Sequence, residues 1–351
     1  MDGAYESEQS AGQARHRRWV AAFLAAFFCL SLAVQPAFAA GTSSARALIP
    51  LGHTVGMKLF SDGLLVVHLS ESTDGAGNVC PARACGIRTG DLLLELNDQD
   101  LKSTEQLQAA LQKNGAQPVS LTVQRGARRL SLTATPVNGG DGVYRLGAWV
   151  RDSMAGIGTM TYYDPQTGTF GALGHGITDV DTAQLMPISS GSLMPSSVEK
   201  VKSGEKGHPG ELEGKFETDR EIGTLLCNSC TGVFGKLTDT AMVTGAPVEV
   251  ARRQDVKCGD AVILANVDGN EVEEFSIKIL KFVENGENGR DLLIRVTDRD
   301  LLKKTGGIVQ GMSGSPILQN GKLVGAVTHV LVSDPTRGYA ILMENMLANE
   351  S

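Results

Sequence analysis

The chain has 351 residues, enough for two domains that each close their own core. Hydrophobic residues make up 42% and charged residues 20%, as in a folded soluble protein, while aromatics are sparse at 5% and glycines number 42. That balance argues against helical bundles and for short strands and tight turns, and a formal charge of −7 without an aromatic-laced basic patch argues against nucleic acid as a partner.

Residues 1–39 are expected to be a secretory signal. Arg15, Arg17 and Arg18 precede the apolar run Trp19–Val34, and Ala37-Phe-Ala39 has the small-residue spacing of a cleavage site. The run is shorter than the roughly 20 residues a membrane span needs, so a cleaved signal is favoured over a retained anchor. Export of the protein follows from either. Residues 40–52 read as a linker.

A compact module is expected over 53–137. Met57–Phe60 and Leu64–Leu69 read as strands, and Gly86-Ile-Arg-Thr-Gly-Asp91 as a turn feeding a strand that runs to Asn97. Ser103-Thr-Glu-Gln106 is a capping box opening a helix through Gln112, with Leu107 and Leu111 on one face. Two strands turned at Arg125-Gly126 follow. This order resembles a PDZ domain, most specifically in Gly86–Asp91 and the strand after it. The resemblance implies β-augmentation, in which a peptide adds a strand and gives its terminal carboxylate to free N–H groups. Thr54, Val55, Gly56 and Met57 form the expected carboxylate loop, because a glycine there opens the backbone to an anion.

Asn138–Gly142 marks the expected boundary, and 142–351 reads as one strand-rich domain. Strands are expected at 144–150, 157–163, 240–250, 261–267, 275–282, 292–296 and 322–330, a pattern that suggests an antiparallel barrel or sandwich. Five cysteines lie beyond the signal: Cys80, Cys85, Cys227, Cys230 and Cys258. Cys80 and Cys85 could pair in an oxidising compartment. Cys227-Asn-Ser-Cys230 lacks the partners of a zinc set and reads as a local disulfide or two thiols at a turn. No metal or cofactor is expected.

Ser313 stands in Gly311-Met-Ser-Gly-Ser-Pro316, where glycines let the chain turn and aim N–H groups at a developing oxyanion. The segment resembles the Gly-Asp-Ser-Gly-Gly-Pro stretch of chymotrypsin-like proteases. Gly311 and Ser313 supply the expected oxyanion-hole N–H groups, and Ser315 is the reserve nucleophile. A base is needed. His175, pinned between glycines in Gly171-Ala-Leu-Gly-His-Gly-Ile-Thr-Asp179, is the first choice; His329 competes, and His208 reads as solvated loop. Chemistry alone leaves Asp179, Asp181, Asp298 and Asp300 open as the orienting acid. A His175, Asp298, Ser313 order is that of chymotrypsin-like enzymes, and Ser315 breaks the G-x-S-x-G elbow of α/β-hydrolases.

Longer stretches carry a closer likeness. Tyr144–Asp152, Ala155–Thr161, Gly171–Asp179, Gly210–Phe216, Thr305–Pro316 and Asp334–Tyr339 resemble the peptidase domain of the stage IV sporulation protein B family. The resemblance implies a mostly β chain: a small α+β PDZ domain before a chymotrypsin-like double β-barrel serine peptidase. It further implies a His175–Asp298–Ser313 triad and export into the space between the two forespore membranes. The implied substrates are a membrane-bound regulator of an intramembrane metalloprotease, whose cleavage activates the late mother-cell sigma factor, and the chain itself near its amino terminus. The competing expectations are a catalytically inactive secreted PDZ adaptor and, more remotely, a thiol-redox protein using Cys227 and Cys230.

Overall fold

The computed structural model describes residues 46–350 apart from 75, 76, 285, 287 and 288, so the expected signal at 1–39 lies outside the described residues. No helix among the described residues is long and apolar enough to cross a membrane. The expected linker is in part a strand: β1 (Ala47–Pro50) pairs with Tyr162 and Tyr163 and with Val248 and Glu249. Its Leu48 is fully buried, and burial of that size contributes about 1.5–3 kcal/mol, which holds the segment down.

The next element sets the architecture. β2 (Thr54–Leu69) is one strand of 16 residues, where two shorter ones were expected. Its first half belongs to a barrel and its second half to the PDZ module. That module continues with α1 (Pro81–Ala84), β3 (Leu92–Leu96), α2 (Thr104–Asn114), β4 (Val119–Arg125) and β5 (Arg128–Ala134). Ser103 Oγ accepts from the Gln106 N–H at 3.2 Å and the Gln106 side chain accepts from the Lys102 N–H at 2.7 Å, so the capping box forms nearly as its residues suggest. Leu107 and Leu111 are buried against Leu64, Val66, Leu93 and Leu121.

β6 (Ala148–Tyr163) then returns along β2 from Leu69 back to Thr54. With β7 (Thr169–Ala172), β8 (Ser190–Lys202), β9 (Glu211–Phe216), β10 (Gly223–Ser229) and β11 (Gly232–Leu237), it builds the first barrel. The pairings β2–β6–β7–β11–β10–β8 return to β2 and close a ring, with β9 extending the far half of β8. Val55, Leu59, Met160, Phe170, Leu193 and Val233 fill it. The PDZ module is therefore inserted between the first two strands of this barrel, whereas the sequence suggested a module placed wholly before it.

The expected strand at 240–250 is mostly loop, because Gly245 and Pro247 break the ladder and leave Val248 and Glu249 paired. A second barrel follows: β12 (Gly259–Asp268), β13 (Glu271–Phe282), β14 (Leu292–Val296), β15 (Pro316–Gln319), β16 (Lys322–Val330) and β17 (Arg337–Leu342). It closes in the order β12–β13–β14–β17–β16–β15. Along β13, Phe275, Ile277 and Ile279 point inward while Glu274, Ser276 and Lys278 face out, the period of two that a one-sided core imposes. α3 (Arg299–Thr305) and α4 (Met343–Leu347) complete this half. Tyr162, Phe234, Leu323, Ile341, Met343 and Met346 join the barrels in one buried seam.

Candidate active site

A cleft of about 850 Å³ runs between the barrels and is walled by Met154–Ile157, His175, Ser313 and His329 among others. Ser313 reaches it on the loop after α3. Gly314, at φ +101°, presses against the first barrel so closely that a Cβ there would stand 2.0 Å from the Thr159 carbonyl oxygen. Thr159 grips the same loop: its N–H donates to the Ser313 carbonyl at 3.0 Å and its hydroxyl to the Gly311 carbonyl at 2.7 Å. The Met312 and Ser315 N–H groups are used inside the loop, donating to Val309 and Met312. The N–H groups of Gly311 and Ser313 have no acceptor among the described residues. Ser315 lies fully buried in the interior, out of reach of a substrate.

Ser313 Oγ donates to the Thr328 carbonyl at 2.7 Å. His175 enters from β7 through Leu173 and Gly174, both at positive φ (68° and 70°). Left-handed backbone at a leucine costs on the order of 1–3 kcal/mol and marks a loop held in place by its surroundings. Nδ1 of His175 lies 2.9 Å from the Gly176 carbonyl, which can only accept, so the proton sits on Nδ1 and Nε2 is left as a base. Burial holds the His175 imidazole below its ordinary pKa, opposed by that carbonyl. His329 packs beside it, with a buried Nδ1 that has no partner among the described residues. Burial, then His175, then Arg290 push the His329 pKa down to about 4. The Arg290 guanidinium lies 5.5 Å from the Tyr339 ring at the cleft wall.

The loop bearing His175 is clamped by residues that sequence reasoning passed over. Asn228 accepts from the Ile177 N–H at 2.8 Å and donates to the carbonyls of Ile177 and Met186 at 2.9 and 2.8 Å. Asn228 is inside Cys227-Asn-Ser-Cys230, so that motif is the end of β10 and the first turn residue of the β10–β11 hairpin supporting the histidine loop. The five cysteines of the described residues are all free thiols, Cys230 exposed and Cys227 half-buried. Nothing in the residue pattern distinguished Asn228 from its neighbours. Farther along, the buried Asp179 carboxylate is bound by Arg151 on β6 and by the Asp181 and Thr182 N–H groups, which commits it to holding the loop.

Asp298 is elsewhere. Its carboxylate accepts from the N–H groups of Asp300 and Leu301 at 3.0 Å each and from Ser276 at 3.3 Å, making it the N-cap of α3. It does not line the cleft, and Asp300 is exposed on the first turn of the same helix. The assignment of Asp298 as the partner of His175 is thereby corrected. Capping needs an acceptor at the helix start, and the sequence Thr297-Asp298-Arg299-Asp300 already carried that signal. Among the described residues no carboxylate hydrogen-bonds to His175.

The expected carboxylate loop is corrected as well. Thr54, Val55, Gly56 and Met57 are buried barrel strand, paired with Gly156–Thr159 on one side, and Val55–Met57 with Leu193–Pro195 on the other. Their N–H groups face neighbouring strands and cannot receive an anion. The groove of the PDZ module lies instead between α2 and the start of β6, lined by Thr104, Leu107, Gln108 and Leu111 and by Ala148–Val150. At its end, Leu146 and Gly147 give their carbonyls to the N–H groups of Ala82 and Ser70 at 2.8 and 2.9 Å, while their own N–H groups have no acceptor among the described residues. The Leu-Gly-Ala-Trp run was the available signal.

Two barrels with a serine and a histidine facing one cleft, and a PDZ module inserted in the first, are the frame of a serine peptidase. The family model of the SpoIVB peptidase S55 matches residues 142–347 and that of a PDZ domain matches residues 79–125. The chain belongs to the SpoIVB peptidase S55 family. No curated protein matches it significantly. Among solved structures it is similar to the Rv3671c protease of M. tuberculosis. The inactive form is 14% identical over 55% of this chain and 82% of that one (TM-score 0.34). The active form is 13% identical over 56% and 73% (TM-score 0.34).

Proposed function

We propose that the chain is an exported serine endopeptidase in which Ser313 is the nucleophile and His175 the general base. The observation that carries this reading is the meeting, in one cleft, of Ser313, a histidine with its Nε2 free, and two unpaired N–H groups at Gly311 and Ser313. Ser313 Oγ turns from the Thr328 carbonyl to His175, gives its proton to Nε2 and attacks the peptide carbonyl carbon. The oxyanion is received by the N–H groups of Gly311 and Ser313, each such donor being worth about 2.7–4 kcal/mol. As the C–N bond breaks, His175 passes the proton to the leaving amine, and water then hydrolyses the acyl-enzyme by the same exchange. The Gly176 carbonyl takes the orienting role that an acid has in the usual triad.

Family membership supports a place in sporulation signalling. There the substrate is a membrane-bound regulator of an intramembrane metalloprotease, cleavage activates the late sigma factor, and the chain also cleaves itself near its amino terminus. The site of action is the space between the two forespore membranes. Incubating wild type and Ser313→Ala with the regulator's ectodomain tests this, and equal cleavage by both would overturn the Ser313 assignment.

A second reading, an inactive secreted PDZ adaptor, draws on Ser313 Oγ being held by Thr328 and on no carboxylate among the described residues bonding to His175. A fluorophosphonate probe separates the two. Labelling at Ser313 supports the peptidase, and none on folded protein supports the adaptor.

A further inference from the structure

The PDZ groove and the catalytic cleft lie along one edge of one strand. β2 covers one edge of β6 from Ala148 to Thr159. On the other edge, the backbone of Thr159 is engaged with the Ser313 loop: its N–H donates to Ser313, and its carbonyl accepts from Leu173 at 3.1 Å. Backbone groups alternate in direction along a strand, so Ile157 and Ala155 present theirs the same way as Thr159. Among the described residues no strand pairs with them there, Ala155 and Gly156 are exposed, and Met154–Ile157 wall the cleft beside Ser313. Eight residues before Gly156, Ala148 begins the strand that lines the PDZ groove, directly after the unpaired N–H groups of Leu146 and Gly147.

Direction follows from this layout. A carboxylate seated at Leu146 and Gly147 puts the carboxyl end of a ligand at the amino end of β6, so the ligand runs antiparallel to β6 and its upstream residues travel towards Ile157. Arg151 and Asp152, between the two sites, are tied away to Asp179 and to Thr104 of α2, which fixes the helix start to the strand. We propose that a single extended substrate tail with a free C-terminal carboxylate occupies both sites, adding a strand to the open edge of β6. Counted at about 3.3 Å per residue, the strand then delivers to Ser313 a bond roughly eight to ten residues upstream of the substrate's C-terminus. The PDZ module thus sets where the cut falls as well as which chain is held. The inference rests on Ser313 as nucleophile for its consequence, but its geometry is testable without catalysis.

The experiment uses the full chain carrying Ser313→Ala and a mixed peptide pool, each peptide about 18 residues long and ending in an apolar residue over Leu107 and Leu111. A photoreactive benzoylphenylalanine is placed about three or about nine residues from the end, with the C-terminus left as carboxylate or amidated. The nearer probe is expected to label α2 and the start of β6, and the farther one Met154–Ile157 or His329. Amidation is expected to weaken both by about ten- to a hundredfold, the range for hydrogen bonds to a charged group. The proposal fails if the farther probe labels surfaces outside the cleft, if amidation changes nothing, or if no peptide labels the protein. Fluorophosphonate labelling of wild type is read in parallel, so loss of the peptidase reading is seen separately from loss of the shared strand.

Discussion

The imidazole rings of His175 and His329 stand with centroids 5.0 Å apart and planes tilted by 35°. Two imidazolium ions at that spacing repel, and the surrounding apolar wall already disfavours either charge. Both rings are therefore held neutral at physiological pH, which leaves His175 ready to accept a proton.

The acid limb of kcat/KM is accordingly expected below the ordinary histidine value of 6.5, with much of the activity kept at mildly acidic pH. Stability moves in the same sense. Between 6.5 and about 4 the unfolded chain binds a proton at His329 that the folded chain refuses, so stability is present above 6.5 and is lost as pH falls towards 4. The loss should be about 1–2 kcal/mol from this group after solvent screening, and His329→Phe should flatten it. Urea unfolding at several pH values, beside a pH–rate profile, measures both. A limb centred above 6.5 would contradict the neutral pair.

Asp298 separates a helix cap from a catalytic acid. Asp298→Ala should lower stability by about 1 kcal/mol through the lost cap, with kcat per folded molecule little changed. Asp298→Ser, which caps nearly as well, should behave like wild type in both respects. Thermal melts and active-site titration are the measurements. A thousandfold fall in kcat for the serine variant would return Asp298 to the reaction.

Asn228→Ala removes three hydrogen bonds that hold the His175 loop on the β10–β11 hairpin. Stability should drop by about 2–3 kcal/mol, since backbone groups of Ile177 and Met186 lose their partners. kcat should fall further than KM rises, because the base and not the substrate loses its position. Asn228→Asp, which can still accept from Ile177, should recover part of the loss. Steady-state kinetics showing an unchanged kcat for the alanine variant would leave Asn228 a purely structural residue.

Local signals wrote much of this fold openly. The Ser103–Gln106 box, the burial of Leu107 and Leu111 and the turn near Gly126 depend on neighbours in sequence, and each formed close to expectation. The mostly β character was legible for the same reason, whereas the two-barrel class came from the family resemblance. What stayed hidden depends on pairing at a distance. Met57–Phe60 and Leu64–Leu69 carry no sign that they are one strand, because continuity is imposed by β6 about a hundred residues later. Gly56 looked like an anion loop since a glycine opens backbone equally well for an anion or for a close neighbour. In the fold it is a neighbour, with a Cβ there meeting Phe216 at 2.6 Å. Asp298 looked catalytic by family resemblance and chain order, neither of which says where a side chain points. Ser313 and Gly311 reach the cleft that His175 lines because Gly314 lets their loop press against Thr159.

Phe60 and Ser153 face each other across the β2–β6 ribbon, at the point where the barrel hands over to the PDZ module. The module enters and leaves through these adjacent strands, so its two ends are neighbours and any short turn joining them would restore a plain hairpin. Recognition is thus carried as a cassette in the first hairpin of the catalytic half. One peptidase barrel could have exchanged binding modules by a single insertion without disturbing the order of its remaining strands.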